Sequence, residues 1–474
     1  MAVDLTRKTF VQGSAAAGGA VMLGGPLSAL AEAQTGARRR AIGYGPLQNT
    51  KEIESGEVFL QLPKGFRYRL ISKSGDPMSD GNPTPTIFDG MGAYQGKGTT
   101  ILIRNHENRS RPGEIPVVVP ASMRYDPDVN VRGGNTKLVV GNDRRVKSSF
   151  AILGGTHTNC AGGETPWDTW ITCEEIFNYG SVEKNVTPGT GVPHGYAFEM
   201  PADAGGPVEP QPILAAGRFS HEAVAWLRGV LYETEDRGDA AFYRFLPNRE
   251  PRGLGDLATF GGTLQALVID GRPNFDANLA SPGDTFDVSW VTIDEPNPLT
   301  DTVRKEAQSK GAAIFDRTEG IWSADRSVFF DCTSGGEAQL GQVWELTPGR
   351  NGDKLTLIYE STDEDALQSP DNVVVVPSTG DVFLQEDGDD EQFVRGVNER
   401  GEIYDFAKTV LSDSEFCGGC FSPDGKTFFL NQQGSRLDLK AGETASSQPL
   451  EDRGFTFAIW GEFRNVGKRK IDAA

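Results

Sequence analysis

Carboxylates recur in this chain where short apolar or aromatic runs end. Glu107, Glu174, Glu175, Glu222, Glu235, Asp236, Glu319, Asp371, Glu386 and Asp387 all stand at such places. Gathered round one axis, these acids repel one another and stay ionised only with multivalent cations among them. Hard oxygen donors of this kind select Ca2+, Mg2+ or Fe3+ over soft metals. The four histidines, His106, His157, His194 and His221, are too few and too scattered for a zinc centre built on imidazole. His106 and His221 each directly precede a glutamate and read as hydrogen-bonding support for it. The number of cysteines, five, leaves at least one thiol unpaired. Cys417-Gly-Gly-Cys420 has the spacing of a redox or metal pair, but reads as two small buried residues at a strand start.

The elements that would position these acids repeat. A strand, a tight Gly/Asp turn and a second strand running into a polar or acidic residue occur from Gly90, Thr165, Glu222, Gly320, Asn372 and Cys420. A third, aromatic strand follows each, beginning at Lys137, Gly195, Ala241, Gln342, Gly401 and Phe455. Six unequal copies of one antiparallel unit predict an all-β fold, a six-bladed β-propeller with short helical insertions. In a propeller the start of the first strand and the end of the second approach the channel mouth, where the acids fall. The longest gap between copies predicts an insertion over about 250–313, with a helix from Thr300 to Ala313 capped by its threonine.

Composition agrees. The 58 Gly and 28 Pro of 474 residues, about 18% against an average near 12%, require frequent turns and exclude a helical solenoid. A net charge of −20 argues against a nucleic-acid partner, because phosphate backbones are bound by Lys and Arg. Residues 1–33 read as an export signal of the twin-arginine type, with the pair Arg7-Lys8, a weakly apolar Gly/Ala stretch and a cleavage site at Ala31-Glu32-Ala33. The expectation is a periplasmic or secreted protein, delivered by the twin-arginine machinery, with one propeller domain over 34–474. No later segment has the ~20 apolar residues of a membrane helix.

The strings TNCAGGETPWDTWITCEE, GRFSHEAVAW with YETED and FYRF, RTEGIW, SPDN and FSPDGKTFF, in this order, resemble the PhoX family of alkaline phosphatases. The resemblance runs from about Pro63 to AIWGEF near the C-terminus. It implies a six-bladed propeller holding two Fe3+ and Ca2+ ions, with a thiolate and an oxo group bridging the irons, that hydrolyses phosphomonoesters. It further implies that Cys160 is the bridging thiolate, Glu319 an iron ligand and Arg317 the group that holds substrate phosphate. Glu175, Glu222 and Asp371 would be further metal ligands, with Glu107 and Glu235 beside them. The spacing of Arg317 and Glu319 puts both on one face of a strand.

Cations that polarise phosphoryl oxygens let an acidic protein bind an anionic substrate. Two other readings compete: a calcium-dependent propeller hydrolase acting on a lactone or phytate-like substrate, and a non-catalytic calcium-binding propeller. Neither needs an iron-bridging thiolate or a phosphate-binding guanidinium. The small-molecule phosphomonoester is the expected partner, and the chain is expected to act as a monomer.

Overall fold

A computed structural model describes residues 42–177, 191–388, 391–435 and 449–463. The export signal expected over 1–33 lies outside them. Among the described residues no helix is long and apolar enough to cross a membrane.

Antiparallel strands make six blades around a ring. Blade 1 comprises Phe88–Gln95, Thr99–His106, Gly133–Gly141 and Val146–Thr156, and blade 2 Asn159–Glu164, Thr169–Glu174 and Ala197–Pro201. Blade 3 holds His221–Leu227, Val230–Glu235, Tyr243–Pro247 and Gly262–Ile269. Blade 4 holds Thr318–Ala324, Ser327–Cys332, Gln342–Thr347 and Asp353–Glu360. Blade 5 is Pro370–Val375, Val382–Glu386, Phe393–Val397 and Ile403–Thr409. Blade 6 is Phe416–Phe421, Phe428–Gln432 and Phe455–Trp460, completed by Arg67–Lys73 from the other end of the chain. First strands touch in chain order, and that of blade 6 returns to that of blade 1.

Burial explains the ring. Each blade has two apolar faces, so each must be covered by a neighbour. Six separate apolar clusters fill the six gaps; Tyr94 and Ile103 of blade 1 meet Trp170 and Phe198 of blade 2, and Phe383 and Phe406 of blade 5 meet Phe428 and Phe457 of blade 6. The remaining four clusters lie between blades 2 and 3, 3 and 4, 4 and 5, and 6 and 1.

Several details depart from the sequence reading. Hydrogen bonding groups the strands into five sheets, because Thr285–Thr292 pairs with both Gly262–Ile269 and Asp353–Glu360 and fuses blades 3 and 4. The stretch expected to be an insertion therefore supplies two strands, and its helix is shorter than expected, Val303–Ser309, ended by Gly311 at φ +93°. In blade 2 the segment from Thr165 begins in the turn, and the first strand is Asn159–Glu164. In blade 5 the segment from Gly401 forms the fourth strand; the third is Phe393–Val397, whose charged surroundings hide its apolar alternation.

One irregularity is common to all six blades. The pairing of first and second strand slips between Phe88 and Met91, Asn159 and Gly162, His221 and Val224, Thr318 and Ile321, Pro370 and Asn372, and Cys417 and Cys420. A β-bulge bends its strand and re-aims a side chain.

Candidate active site

The bulges point chemistry at the axis. The residue at the bulge is Asp89, Cys160, Glu222, Glu319 and Asp371 in blades 1 to 5. Blade 6 has Gly418 there, at φ +59°, where a Cβ would stand 2.3 Å from the carbonyl oxygen of Asp89. The next residue in blade 4, Gly320, lies close against blade 5; a Cβ on it would lie 2.6 Å from the carbonyl of Asp371.

A second ring comes from the position just past each second strand, where Glu107, Glu175, Asp236 and Asp387 stand in blades 1, 2, 3 and 5. Its geometry is fixed by one repeated hydrogen bond. The backbone N–H of Glu107, Glu175, Asp236, Thr333, Asp387 and Gln433 donates to the carbonyl of Ile87, Thr158, Ser220, Arg317, Ser369 and Glu415, respectively. Ile87, Thr158, Arg317 and Ser369 take up left-handed φ to accept it, a strained choice for a β-branched isoleucine. Arg317 thus precedes its strand rather than lying on it. Its side chain still meets that of Glu319, Nη2 to Oε1 at 2.7 Å, and also forks onto Asp236 at 2.7 and 3.1 Å.

These rings enclose a cavity of about 110 Å3 lined by Asp89, Glu107, Arg109, Cys160, Glu175, Glu222, Asp236, Arg317, Glu319, Asp371, Asp387 and Glu415. Of the residues expected from the sequence, Cys160, Glu175, Glu222, Arg317, Glu319, Asp371 and Glu107 are brought together here. Glu235 is not. Strand alternation divides each pair of consecutive acids, turning Glu174, Glu235 and Glu386 to partners in or beside their own blades and the following residue to the axis. Glu235 accepts from Tyr243 Oη at 2.8 Å and faces Arg304, Glu174 accepts from His194 at 2.7 Å, and Glu386 accepts from Arg395 at 2.9 Å. His106, at the equivalent position of blade 1, bonds Thr136 Oγ1 and Thr86 O. None of the four histidines lines the cavity.

Sequence reasoning missed Asp89, Arg109 and Glu415. Asp89 carries a faint signal, an acid directly before a glycine as in Glu319-Gly320. Glu415 occupies the position of Arg317 in its own blade, visible only once the register is known.

Electrostatics fit a cation centre. Burial first, then neighbouring acids, push the carboxyl groups of Asp89, Glu175, Glu222, Glu319 and Glu415 well above the carboxylate range, and Asp371 to about 7. Burial and Glu222 likewise raise the Cys160 thiol. Asp236 is instead pulled down, burial being outweighed by Arg317. Donor atoms of Cys160, Glu175 and Glu222 lie within 4.8 Å of one another, and so do those of Glu222, Glu319 and Asp371. Two three-ligand sets sharing Glu222 could hold two adjacent cations, one of them with a sulfur donor.

Second-strand side chains hold the bulges of neighbouring blades. Asn105 Nδ2 donates to the carbonyls of Cys160 and Ala161 at 2.8 and 2.7 Å. Thr234 Oγ1 donates to Glu319 O at 2.6 Å and Asn431 Nδ2 to Asp89 O at 2.6 Å. Gln433 spans Glu107 and Glu415 at 2.9 and 2.6 Å.

A profile described as alkaline phosphatase PhoX matches residues 42–435. No curated protein matches the sequence. Among solved structures, Pseudomonas fluorescens PhoX in complex with vanadate, a transition-state analogue, superposes with a TM-score of 0.66 at 17% identity, covering 89% of this chain and 98% of that one. The WD40 repeats of RRP9 reach a TM-score of 0.41 at 7% identity, covering 88% and 100%.

Proposed function

This chain belongs to the PhoX family of alkaline phosphatases and is a phosphoric monoester hydrolase; we propose that the reaction takes place in the axial cavity, at a centre of Fe3+ and Ca2+ ions. Cys160, Glu175 and Glu222 would hold one ion and Glu222, Glu319 and Asp371 a second. Asp89, Glu107, Asp387 and Glu415 supply the donors for further, harder cations. When bound, such ions polarise phosphoryl oxygens and lower the pKa of bound water.

The observation that carries this reading is Arg317. Asp236 and Glu319 fix its guanidinium, while its side chain stays 42% exposed and its Nη1 carries no hydrogen bond to a described residue. A permanently charged donor with only Nη1 left uncommitted among the described residues suits an equatorial oxygen of a phosphoryl group. A structural calcium plug has no use for it. The cavity is small enough to admit a phosphoryl group and leave the alcohol portion of the ester outside. Asp236 and Glu319 orient the guanidinium.

The N-terminal reading accords with this: residues 1–33 would carry a folded, ion-loaded chain through the twin-arginine machinery to the periplasm, where it would act as a monomer. The test is p-nitrophenyl phosphate hydrolysis alongside elemental analysis of the same preparation. Hydrolysis by protein rich in iron and calcium supports the reading; stoichiometric zinc without iron refutes the proposed centre.

A further inference from the structure

A second guanidinium lines the cavity. Arg109, just past the second strand of blade 1, donates through Nε and Nη2 to Glu107 and through Nη2 to Glu175 Oε2 at 3.3 Å. Arg317 is arranged in the same way at another blade junction. Each arginine ties together two acids of adjacent blades, 1 and 2 for Arg109, 3 and 4 for Arg317, through Nε and Nη2. Each leaves Nη1 without a hydrogen bond to any described residue, and the two side chains are 43% and 42% exposed. Every other group lining the cavity is an acid or a thiol.

An arginine needed only to neutralise Glu107 and Glu175 could be buried between them with its donors spent. Arg109 instead lines, with Arg317, a single space of about 110 Å3 while keeping one nitrogen uncommitted among the described residues. The three equatorial oxygens of a phosphoryl group in flight point in different directions, so one fork cannot serve them all. We propose that Arg109 is a second substrate-binding arginine, whose Nη1 donates to a phosphoryl oxygen left unserved by Arg317. This rests on the phosphatase reading above.

The test uses the metal-loaded protein and its Arg109→Lys and Arg109→Gln variants. Lysine keeps the charge beside Glu107 and Glu175 without the planar fork, and glutamine removes the charge. Binding of inorganic phosphate is measured by calorimetry, with kcat/KM for p-nitrophenyl phosphate and iron and calcium content on the same samples. The expected result is parental metal content in Arg109→Lys, with phosphate affinity and kcat/KM both about 10- to 100-fold lower, the value of a hydrogen bond to a charged group. Unchanged phosphate affinity in both variants overturns the proposal. So does a loss of metal with phosphate affinity per loaded molecule unchanged. A parent that binds phosphate through Arg109 yet hydrolyses no ester leaves this contact standing and defeats the phosphatase reading instead.

Discussion

Asn105 holds Cys160 from the neighbouring blade: its amide donates to the carbonyl oxygens of Cys160 and Ala161, at 2.8 and 2.7 Å. Its own Oδ1 accepts from Trp170 Nε1 at 2.9 Å and from Asn135. Both donors and both acceptor sites of one buried amide are therefore used to fix the bulge that presents a thiol to the axis. Asn105→Leu keeps the volume and strands these partners, at a cost of about 2–4 kcal/mol. Iron content should fall with it, while Asn105→Gln restores part of the binding. Thermal unfolding and elemental analysis check this, and full iron in Asn105→Leu would refute it.

Cys160→Ser should lose iron and activity together, because serine offers a poor anionic ligand where the proposed centre would use the sulfur of Cys160 beside Glu175 and Glu222. Cys332→Ser, at the end of the second strand of blade 4 and away from the cavity, should keep both. Equal loss in the two variants would mean that the thiols matter only for folding.

Arg317→Lys should keep fold and metals and lose about 30-fold to 10³-fold in kcat/KM, equivalent to roughly 2–4 kcal/mol of transition-state stabilisation. Activity per bound iron equal to that of the parent would reduce Arg317 to a strut between Asp236 and Glu319.

The division of consecutive acids by strand alternation is directly testable. Glu235→Gln still accepts from Tyr243 and should retain metal and turnover. Asp236→Asn weakens the clamp on Arg317 and should raise KM for p-nitrophenyl phosphate by about 10- to 100-fold at most, the range of one lost charge-assisted hydrogen bond. The reverse ranking, measured side by side, would put Glu235 at the axis.

His194 gives a pH dependence. Burial opposes its charge, but Glu174 at 2.7 Å and Asp126 at 3.2 Å outweigh burial and raise its pKa from 6.5 to about 9. A raised histidine stabilises the fold fully below the unfolded pKa, and that share is lost as pH rises through about 9. It amounts to at most about 3 kcal/mol. Denaturant unfolding of the parent should weaken between pH 6.5 and 9, and His194→Gln should remove most of that slope. An identical slope in the variant would assign it to other groups.

The blades were legible because each second strand pairs an apolar alternation with a turn, as in GDVFLQ or GKTFFLN. The phase of the acids was not. Whether Glu235 or Asp236 faces the axis depends on the bulge opposite, and a bulge has no sequence signature where its residues are as different as Cys160, Glu222 and Gly418. Arg67–Lys73 escaped notice for another reason: a charged strand that completes a blade from far away in sequence carries no local turn partner. Family resemblance picked out the residues of the cavity better than spacing did, since Cys160 alone would pass for a small buried residue.

The pairing of Arg67–Lys73 with Phe455–Trp460 also orders events in time. A chain still emerging from the ribosome has blades 1 to 5 available, but blade 6 lacks its third strand until Phe455–Trp460 has been made. Asp89 and Glu107 of blade 1 cannot come up against Glu415 of blade 6 until that seam closes. The side of the cavity formed by Asp89, Glu107 and Glu415 is thus completed only after synthesis, and a truncation that removes Phe455–Trp460 should lose any ion held there before those held by Cys160, Glu222 and Asp371.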